Sequence, residues 1–325
     1  MEYVKLGNTG MEVSKLCLGC MGFGEPERGR EKWSIGETES REIIKKALDS
    51  GINFFDTANL YSAGSSEEIV GKALKDFANR DEIVLASKLY FPMFDGPNAK
   101  GLSRKSIFAE IDHSLKRLQT DYLDLYIIHR WDYDTPIEET MEALHDLVKM
   151  GKVRYIGASS MHAWQFAKAQ FTAEKNGWTK FVSMQNLYNL LYREEEREMI
   201  PLLQDQNVAM TPWSPLAGGR LTRDIGAVTA RTSQAVQADL PAYVVASNNE
   251  VISRVHKLAD ERGITRGQVA TAWMLSKDYV TSPLTGATKV KYLDDALGAF
   301  EVALSAEEIK YLEEAYVPRN ITGYR

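Results

Sequence analysis

The sequence predicts a single (β/α)8 TIM barrel domain over residues 1–325, on three observations. Eight short apolar runs recur along the chain, and a helical segment separates most of them. The apolar runs are continuous rather than alternating, which is typical of strands buried on both faces of a parallel sheet. A closed barrel needs about 250 residues, so a chain of 325 residues also has room for additions.

The predicted strands are distributed evenly enough to form eight successive units. They are Leu16–Gly19, Ile52–Phe55, Ile83–Ala86, Leu123–Ile128, Val153–Gly157, Phe181–Met184, Val208–Thr211 and Val280–Leu284. The alternative fold, an open doubly wound sheet, normally carries G-x-G-x-x-G after an early strand. The nearest approach to that motif, Gly19-Cys-Met-Gly-Phe-Gly24, has the wrong spacing.

Several helix ends are readable. Thr135-Pro-Ile-Glu138 places a hydroxyl cap before a proline and a glutamate, and Thr265–Gln268 and Ser305–Glu308 have the spacing of capping boxes. Ser103–Leu118 has apolar residues three and four apart, which predicts an amphipathic helix.

Three segments are additional to the eight predicted strand–helix units of the barrel. Residues 1–13, with Gly7-Asn-Thr-Gly10 at their centre, predict an N-terminal β-hairpin. Residues 219–249 are polar and predict a long loop after strand seven, and residues 301–325 predict a C-terminal helix and tail.

The composition excludes several classes of function. Lys and Arg number 39 against 45 Asp and Glu, a net charge of -6, so nothing indicates a nucleic acid or an anionic membrane as partner. No signal peptide or membrane span is recognisable, and we therefore expect a cytoplasmic protein. The sequence does not set the oligomeric state.

The two cysteines form a C-x-x-C spacing, which can indicate a redox pair or half of a zinc site. Cys17 and Cys20 lie in an apolar run, however, and strand residues three apart point to opposite faces. No other Cys or His pair completes a metal site, so we expect buried thiols and no metal.

Polar residues end three successive predicted strands. Asp56, Lys88 and His129 follow strands two, three and four, and Tyr61 lies in the loop after Asp56. Because the carboxyl ends of barrel strands meet at one face, we expect these four side chains to converge.

The four side chains suit one kind of chemistry. A phenol has a pKa near 10, and a neighbouring ammonium such as Lys88 is expected to lower the pKa of Tyr61 toward the working range. Asp56 can balance the ammonium, and His129 can hold a substrate carbonyl. The set therefore predicts protonation of a carbonyl oxygen.

Each residue also has a simpler interpretation. Asp56 can cap a turn, Lys88 can be a solvated strand end, Tyr61 a rim aromatic, and His129 a core histidine. Lys88 can instead be a Schiff-base lysine, as in barrel aldolases, although Asp56 beside it is expected to keep the amine protonated.

Four segments resemble the aldo-keto reductase superfamily. They are Gly51-Ile-Asn-Phe-Phe-Asp-Thr-Ala58 with Tyr61, Leu118 through His129, Gly151 through Ser160, and Pro212-Trp-Ser-Pro-Leu-Ala217. The loop after strand seven and His129-Arg-Trp-Asp132 resemble bacterial members nearer the potassium-channel β-subunit-like branch than the aldose reductases.

The resemblance implies NADP(H)-dependent hydride transfer to small aldehydes or ketones, or from alcohols, with Tyr61 as general acid and base and Asp56, Lys88 and His129 beside it. It also implies a cofactor lying across the barrel mouth. The implied cofactor residues are Ser159, Ser160, Gln185, Trp213, Ser214, Leu216, Gly218, Arg220, Arg231, Gly286, Thr288, Lys289 and Asp295. An alternative is an NADPH-binding regulatory module with slow turnover, like channel β subunits.

Some positions depart from the family pattern. Tyr292 stands where a Gln is usual, Asp295-Ala296 where Glu-Asn is usual, and Trp213 where Tyr or Phe is common. We expect NADP in preference to NAD, mainly from Thr288 and Lys289, because a basic side chain can pair with the phosphate, although Lys289 can also simply start a solvated helix.

The candidate substrate residues are mostly aromatic. They are Phe23, Leu60, Tyr90, Arg130, Trp131 and Tyr188, with the tail near Tyr324 as a further cover. Arg130 permits an acidic or phosphorylated substrate, unless it pairs with Asp132 or Asp134. His113, His145, His162 and His256 are predicted to be structural or surface residues.

Overall fold

The computed structural model describes residues 1–227 and 246–324. Its strands, in chain order, are β1 (Tyr3–Lys5), β2 (Glu12–Ser14), β3 (Cys17–Gly19), β4 (Phe54–Asp56), β5 (Val84–Leu89), β6 (Leu123–Ile128), β7 (Val153–Ser159), β8 (Ser183–Gln185), β9 (Ala209–Met210) and β10 (Leu284–Gly286). β3 to β10 form an eight-stranded parallel sheet in the order β10-β3-β4-β5-β6-β7-β8-β9. The predicted barrel fold is confirmed.

Backbone hydrogen bonds close the sheet between its two end strands. Thr281 N donates to Met210 O at 2.9 Å, and Leu284 N donates to Pro212 O at 2.9 Å. The eighth strand begins later than the predicted Val280–Leu284, because Val280 forms only a single bridge to Met210. Pro283 has no N–H to donate, so the regular pairing starts at Leu284.

Helices between and after the strands cover the barrel. They are α1 (Glu37–Asp49), α2 (Ser65–Phe77), α3 (Arg104–Leu118), α4 (Ile137–Lys149), α5 (Ala163–Asn176), α6 (Met199–Asp205), α7 (Asn248–Arg262), α8 (Arg266–Leu275), α9 (Val290–Gly298) and α10 (Ala306–Glu313). The capping boxes predicted at Thr265 and Ser305 are both present.

The predicted cap at Thr135 is wrong. Helix α4 has Pro136 at its N-cap position, and the Thr135 hydroxyl instead donates to Asp132 Oδ2 at 2.8 Å. The competing acceptor comes from tertiary structure, which the local motif does not reveal.

The N-terminal hairpin closes one end of the barrel. β1 and β2 pair antiparallel, as predicted, and Leu6 and Val13 pack against Phe54, Leu125 and Ile127 inside the barrel. All of these side chains are fully buried. The amino-terminal end is thereby filled, which leaves the carboxyl ends of the strands as the accessible mouth.

Candidate active site

A cavity of about 1620 Å³ opens at the carboxyl end of the barrel. Every barrel strand contributes at least one lining residue from its end or from the loop that follows. In strand order these include Gly19, Asp56, Phe91, His129, Ser159, Gln185, Trp213 and Gly286. A cavity of this kind, at this end of a barrel, is the usual place for catalysis.

Strand periodicity explains which side chains enter the cavity. Phe54 on β4, Val84 and Ala86 on β5, and Ile127 on β6 belong to the inner core. Residues two positions further along a strand point the same way. Asp56, Lys88 and His129 are therefore directed inward one layer above the core.

Lys88 connects the predicted catalytic residues. Its fully buried ammonium donates to Asp56 Oδ1, to Tyr61 Oη at 3.1 Å and to Thr57 O at 2.8 Å. Three acceptors match the three protons of an ammonium. Asp56 and Tyr61 also line the cavity, so the ammonium is hydrogen-bonded to two residues that face it.

The charges in this group differ from the sequence-based expectation at one point. Burial raises the pKa of Tyr61 and Lys88 lowers it, and the net direction is upward. A lowered pKa was expected from residue types alone, since they do not reveal the burial of the phenol. Tyr61 is therefore protonated at neutral pH.

Lys88 stays charged despite its burial. Desolvation lowers its pKa, but Asp56 and then Tyr61 raise it, and the net pKa lies above the ordinary value. A protonated amine is a poor nucleophile, which argues against Lys88 as a Schiff-base lysine.

His129 lies against the phenol as a neutral imidazole. The ring centroids of Tyr61 and His129 are 5.8 Å apart with an interplanar angle of 81°. Burial, Lys88 and Arg130 together hold the pKa of His129 well below its usual value. Nδ1 is buried without a partner among the described residues, which leaves Nε2 for a molecule in the cavity.

The ends of β7 and β8 form a polar wall. Ser159 Oγ donates to Gln185 O at 2.7 Å, and Ser160 N donates to Asn186 Oδ1 at 2.7 Å. Trp213 Nε1 donates to Ser160 Oγ at 3.1 Å. Ser159, Gln185 and Trp213 line the cavity, whereas Ser160 is fully buried and positions the indole.

The other predicted cofactor residues divide into two groups. Ser214, Leu216, Gly218, Gly286, Thr288 and Lys289 line the cavity. Arg220 and Asp295 do not, and Arg231 lies outside the described residues. Within the described ranges Lys289 makes no ion pair, and its side chain is exposed where it lines the cavity.

Two of the six predicted substrate residues, Leu60 and Arg130, line the cavity, and the other four lie elsewhere. Phe23 is fully buried in the core, and Trp131 packs against Trp164 with ring centroids 6.1 Å apart.

The last two residues are displaced from the cavity for identifiable reasons. The Tyr188 hydroxyl bonds Glu196 at 2.6 Å and Tyr279 at 2.7 Å, beneath the mouth. Tyr90 has a φ of 150°, which breaks the strand alternation, and the next residue, Phe91, lines the cavity instead.

Sequence reasoning missed other lining residues. The position of Phe91 in the cavity wall depends on the backbone conformation of Tyr90, which the sequence does not reveal. His162, predicted to be a structural or surface residue, lines the cavity beside Tyr324, and the two ring centroids are 4.9 Å apart. The Tyr324 hydroxyl donates to Glu195 Oε1, which explains how the tail is held over the mouth.

The two cysteines are buried in the core. Cys17 and Cys20 are both free and buried, as expected, and burial raises the pKa of each thiol. Across residues 1–227 and 246–324, no cluster of His, Cys, Asp or Glu could hold a metal ion. No helix in those ranges is long and apolar enough to cross a membrane.

Comparison with known proteins agrees with the barrel fold. The model of the aldo/keto reductase family matches residues 15–317. A putative aryl-alcohol dehydrogenase of Schizosaccharomyces pombe is 47% identical over 99% of this chain and 97% of its own length. A versiconal hemiacetal acetate reductase of Aspergillus parasiticus is 45% identical over 99% of this chain and 98% of its own.

A putative aryl-alcohol dehydrogenase of Saccharomyces cerevisiae is 40% identical over 98% of both chains. These relatives are fungal proteins. They give no support to the expected position among bacterial members near the potassium-channel β-subunit-like branch.

Proposed function

Since this chain belongs to the aldo/keto reductase family, we propose that it reduces small aldehydes or ketones to alcohols with NADPH, and catalyses the reverse reaction with NADP. The chain is an oxidoreductase, and its relatives are named as reductases and alcohol dehydrogenases. The observation that carries the proposed mechanism is the single ammonium of Lys88 bonded to both Asp56 and Tyr61.

In this proposal Tyr61 gives its proton to the carbonyl oxygen during reduction. The raised pKa keeps the phenol protonated until the substrate oxygen gains negative charge. Lys88 then stabilises the phenolate, since its charge lies 3.1 Å from Oη. Stabilising a charge that develops only during reaction lowers the barrier rather than merely tightening binding.

His129 orients the substrate. As a neutral imidazole it can donate one hydrogen bond from Nε2 to the carbonyl oxygen without adding a second positive charge. Asp56 keeps Lys88 charged and does not itself contact the substrate oxygen.

The residues along the cavity fit a nicotinamide dinucleotide, which supplies the hydride when it is bound. Trp213 offers a flat aromatic face, held in place by Ser160. At the opposite end, Lys289 and Arg223 line the cavity without a carboxylate partner in the described parts of the chain, and both can bind phosphate. Lys289 is the residue that we propose selects NADP over NAD.

Part of the cavity wall is apolar or aromatic. Leu60, Phe91 and Tyr324 line the cavity together with Trp213. This composition supports aromatic aldehydes as substrates, in agreement with the names of two relatives.

We further propose that the reaction takes place in the cytoplasm and that the whole chain forms one domain.

The test is a spectrophotometric assay of the purified chain. Benzaldehyde with NADPH, and benzyl alcohol with NADP, are each expected to change the absorbance of the nicotinamide in proportion to enzyme. Absence of turnover with a broad set of carbonyls, alongside tight NADPH retention, would overturn the enzymatic proposal in favour of a regulatory module.

A further inference from the structure

A partly buried cation, Arg130, lies in the cavity beside the proposed catalytic group. Arg130 directly follows His129 and lines the cavity. Its Nη1 donates to His129 O at 2.6 Å, and its guanidinium lies 5.3 Å from the centroid of the Phe91 ring. The guanidinium is thus held in place by the backbone carbonyl of His129 and by the aromatic face of Phe91.

The guanidinium lacks an acidic partner. Across residues 1–227 and 246–324, Arg130 makes no ion pair, and its buried Nε has no hydrogen-bond acceptor. Asp132, the nearest acid in sequence, instead accepts from Leu102 N at 2.7 Å and Asp134 N at 2.9 Å. Among the described residues Nη2 has no hydrogen-bond partner and is not fully buried, so it is the nitrogen available to a molecule in the cavity.

The neighbouring groups do not cancel this charge. Lys88 and Asp56 form a pair that neutralises itself, and His129 is uncharged. Burial lowers the pKa of Arg130 to about 10, which still leaves it cationic at neutral pH. A partly desolvated charge without a counter-charge is unfavourable, and a bound anion offsets that cost while gaining a charge-assisted hydrogen bond.

We propose that Arg130 is an anion subsite that selects carbonyl substrates bearing a carboxylate. The carboxylate would bind Nη2, while the apolar part of the substrate contacts Phe91 and Leu60 and its carbonyl faces Tyr61. This inference rests on the proposed carbonyl reduction and assigns the substrate class of the same site.

The test compares charged and neutral forms of one aldehyde. The probes are 3- and 4-formylbenzoate and their methyl esters, each reduced with NADPH. Hydrogen bonds to charged groups contribute about 1.5–3 kcal/mol, or roughly 10- to 100-fold. The wild-type kcat/KM is therefore expected to be at least about tenfold higher for one of the acids than for its ester.

Arg130→Met is expected to reduce that preference at least about tenfold, mainly by raising KM for the acid relative to KM for the ester. Arg130→Lys retains the charge and is expected to keep part of the preference. Lys105→Met is the matched control, because Lys105 is exposed on α3, away from the cavity, and carries the same charge.

The outcomes distinguish a failure of the proposed anion subsite from a failure of the proposed carbonyl reduction. Failure of wild-type enzyme to reduce any probe counts against carbonyl reduction itself. Reduction of acids and esters with equal kcat/KM, or an unchanged preference in Arg130→Met, overturns the anion subsite alone.

If Arg130→Met does not fold, inhibition of the wild-type enzyme decides the question. Benzoate is expected to inhibit competitively with a Ki at least about tenfold below that of benzamide. Equal Ki values for the two compounds contradict the proposal.

Discussion

Gln185 Nε2 donates a 2.9 Å hydrogen bond to Asp56 Oδ2, the carboxylate oxygen opposite the one that Lys88 binds. This bond joins β8 to β4 through the barrel interior, between residues 129 positions apart. Asp56 is 1% exposed and Gln185 2% exposed, so water does not compete. Both oxygens of the buried carboxylate are therefore satisfied, and the end of β8 is connected to the proposed catalytic group.

Gln185→Leu removes one donor from this buried carboxylate. Leaving a buried acceptor unsatisfied costs about 1–3 kcal/mol, so we expect the free energy of unfolding in urea to fall by that amount. NADPH affinity should fall as well, because Gln185 also lines the cavity. Unchanged stability together with unchanged affinity would show that the bond contributes to neither.

Trp213 is expected to report cofactor binding. If its ring stacks on nicotinamide, NADPH should quench tryptophan fluorescence, and Trp213→Ala should lose much of that quenching. Trp164 is a suitable control, since it is 59% exposed and does not line the cavity. Full quenching in Trp213→Ala, or its loss in Trp164→Ala, would contradict the assignment.

Lys289 should distinguish the two nicotinamide cofactors. Lys289→Ala removes a cation from the cavity, so the Kd of NADPH should rise roughly 10-fold or more while that of NADH changes little. Lys291, in the first turn of α9 and outside the cavity, provides the control Lys291→Ala. Equal weakening of both cofactors by Lys289→Ala would exclude Lys289 as the basis of selectivity.

Glu195 makes stability depend on pH. Burial raises its pKa from 4.5 to about 7, against the lowering effects of Tyr324 and Asn186. The native state thus binds this proton more tightly than the unfolded chain. The resulting stabilisation is complete below pH 4.5 and is lost as pH rises through about 7.

Glu195→Gln removes this titration while keeping an acceptor for Asn186. Relative to the wild type, the variant should gain up to about 3 kcal/mol of unfolding free energy between pH 4.5 and pH 8, from 1.36 kcal/mol per unit of pKa. Denaturant unfolding at the two pH values measures it. A stability difference that is constant with pH would contradict this account of Glu195.

The fold was largely predictable because its signals are local. Continuous apolar runs and the capping residues at Thr265 and Ser305 require no knowledge of distant contacts. The misplaced start of the eighth strand and the misplaced cap at Thr135 both depend on tertiary partners. Pairing across the barrel closure decides the first, and Asp132 decides the second.

The candidate site was predictable where strand register decides it. Asp56, Lys88 and His129 each follow an inward-facing core residue by two positions, so their convergence follows from periodicity. The lining role of Phe91 depends on one unusual φ at Tyr90, and that of Tyr324 depends on a contact with Glu195 made 129 residues away. Neither relationship can be recognised from the neighbouring residues in the sequence.

The most direct measurement is the reduction of benzaldehyde by Tyr61→Phe, made together with NADPH binding. Removing the proton donor should lower kcat by about 10²- to 10⁴-fold, while the Kd of NADPH and the unfolding free energy stay near those of the wild type. Tyr155→Phe, at a residue that does not line the cavity, should keep full activity. Near-normal kcat in Tyr61→Phe would contradict the assignment of Tyr61 as the acid.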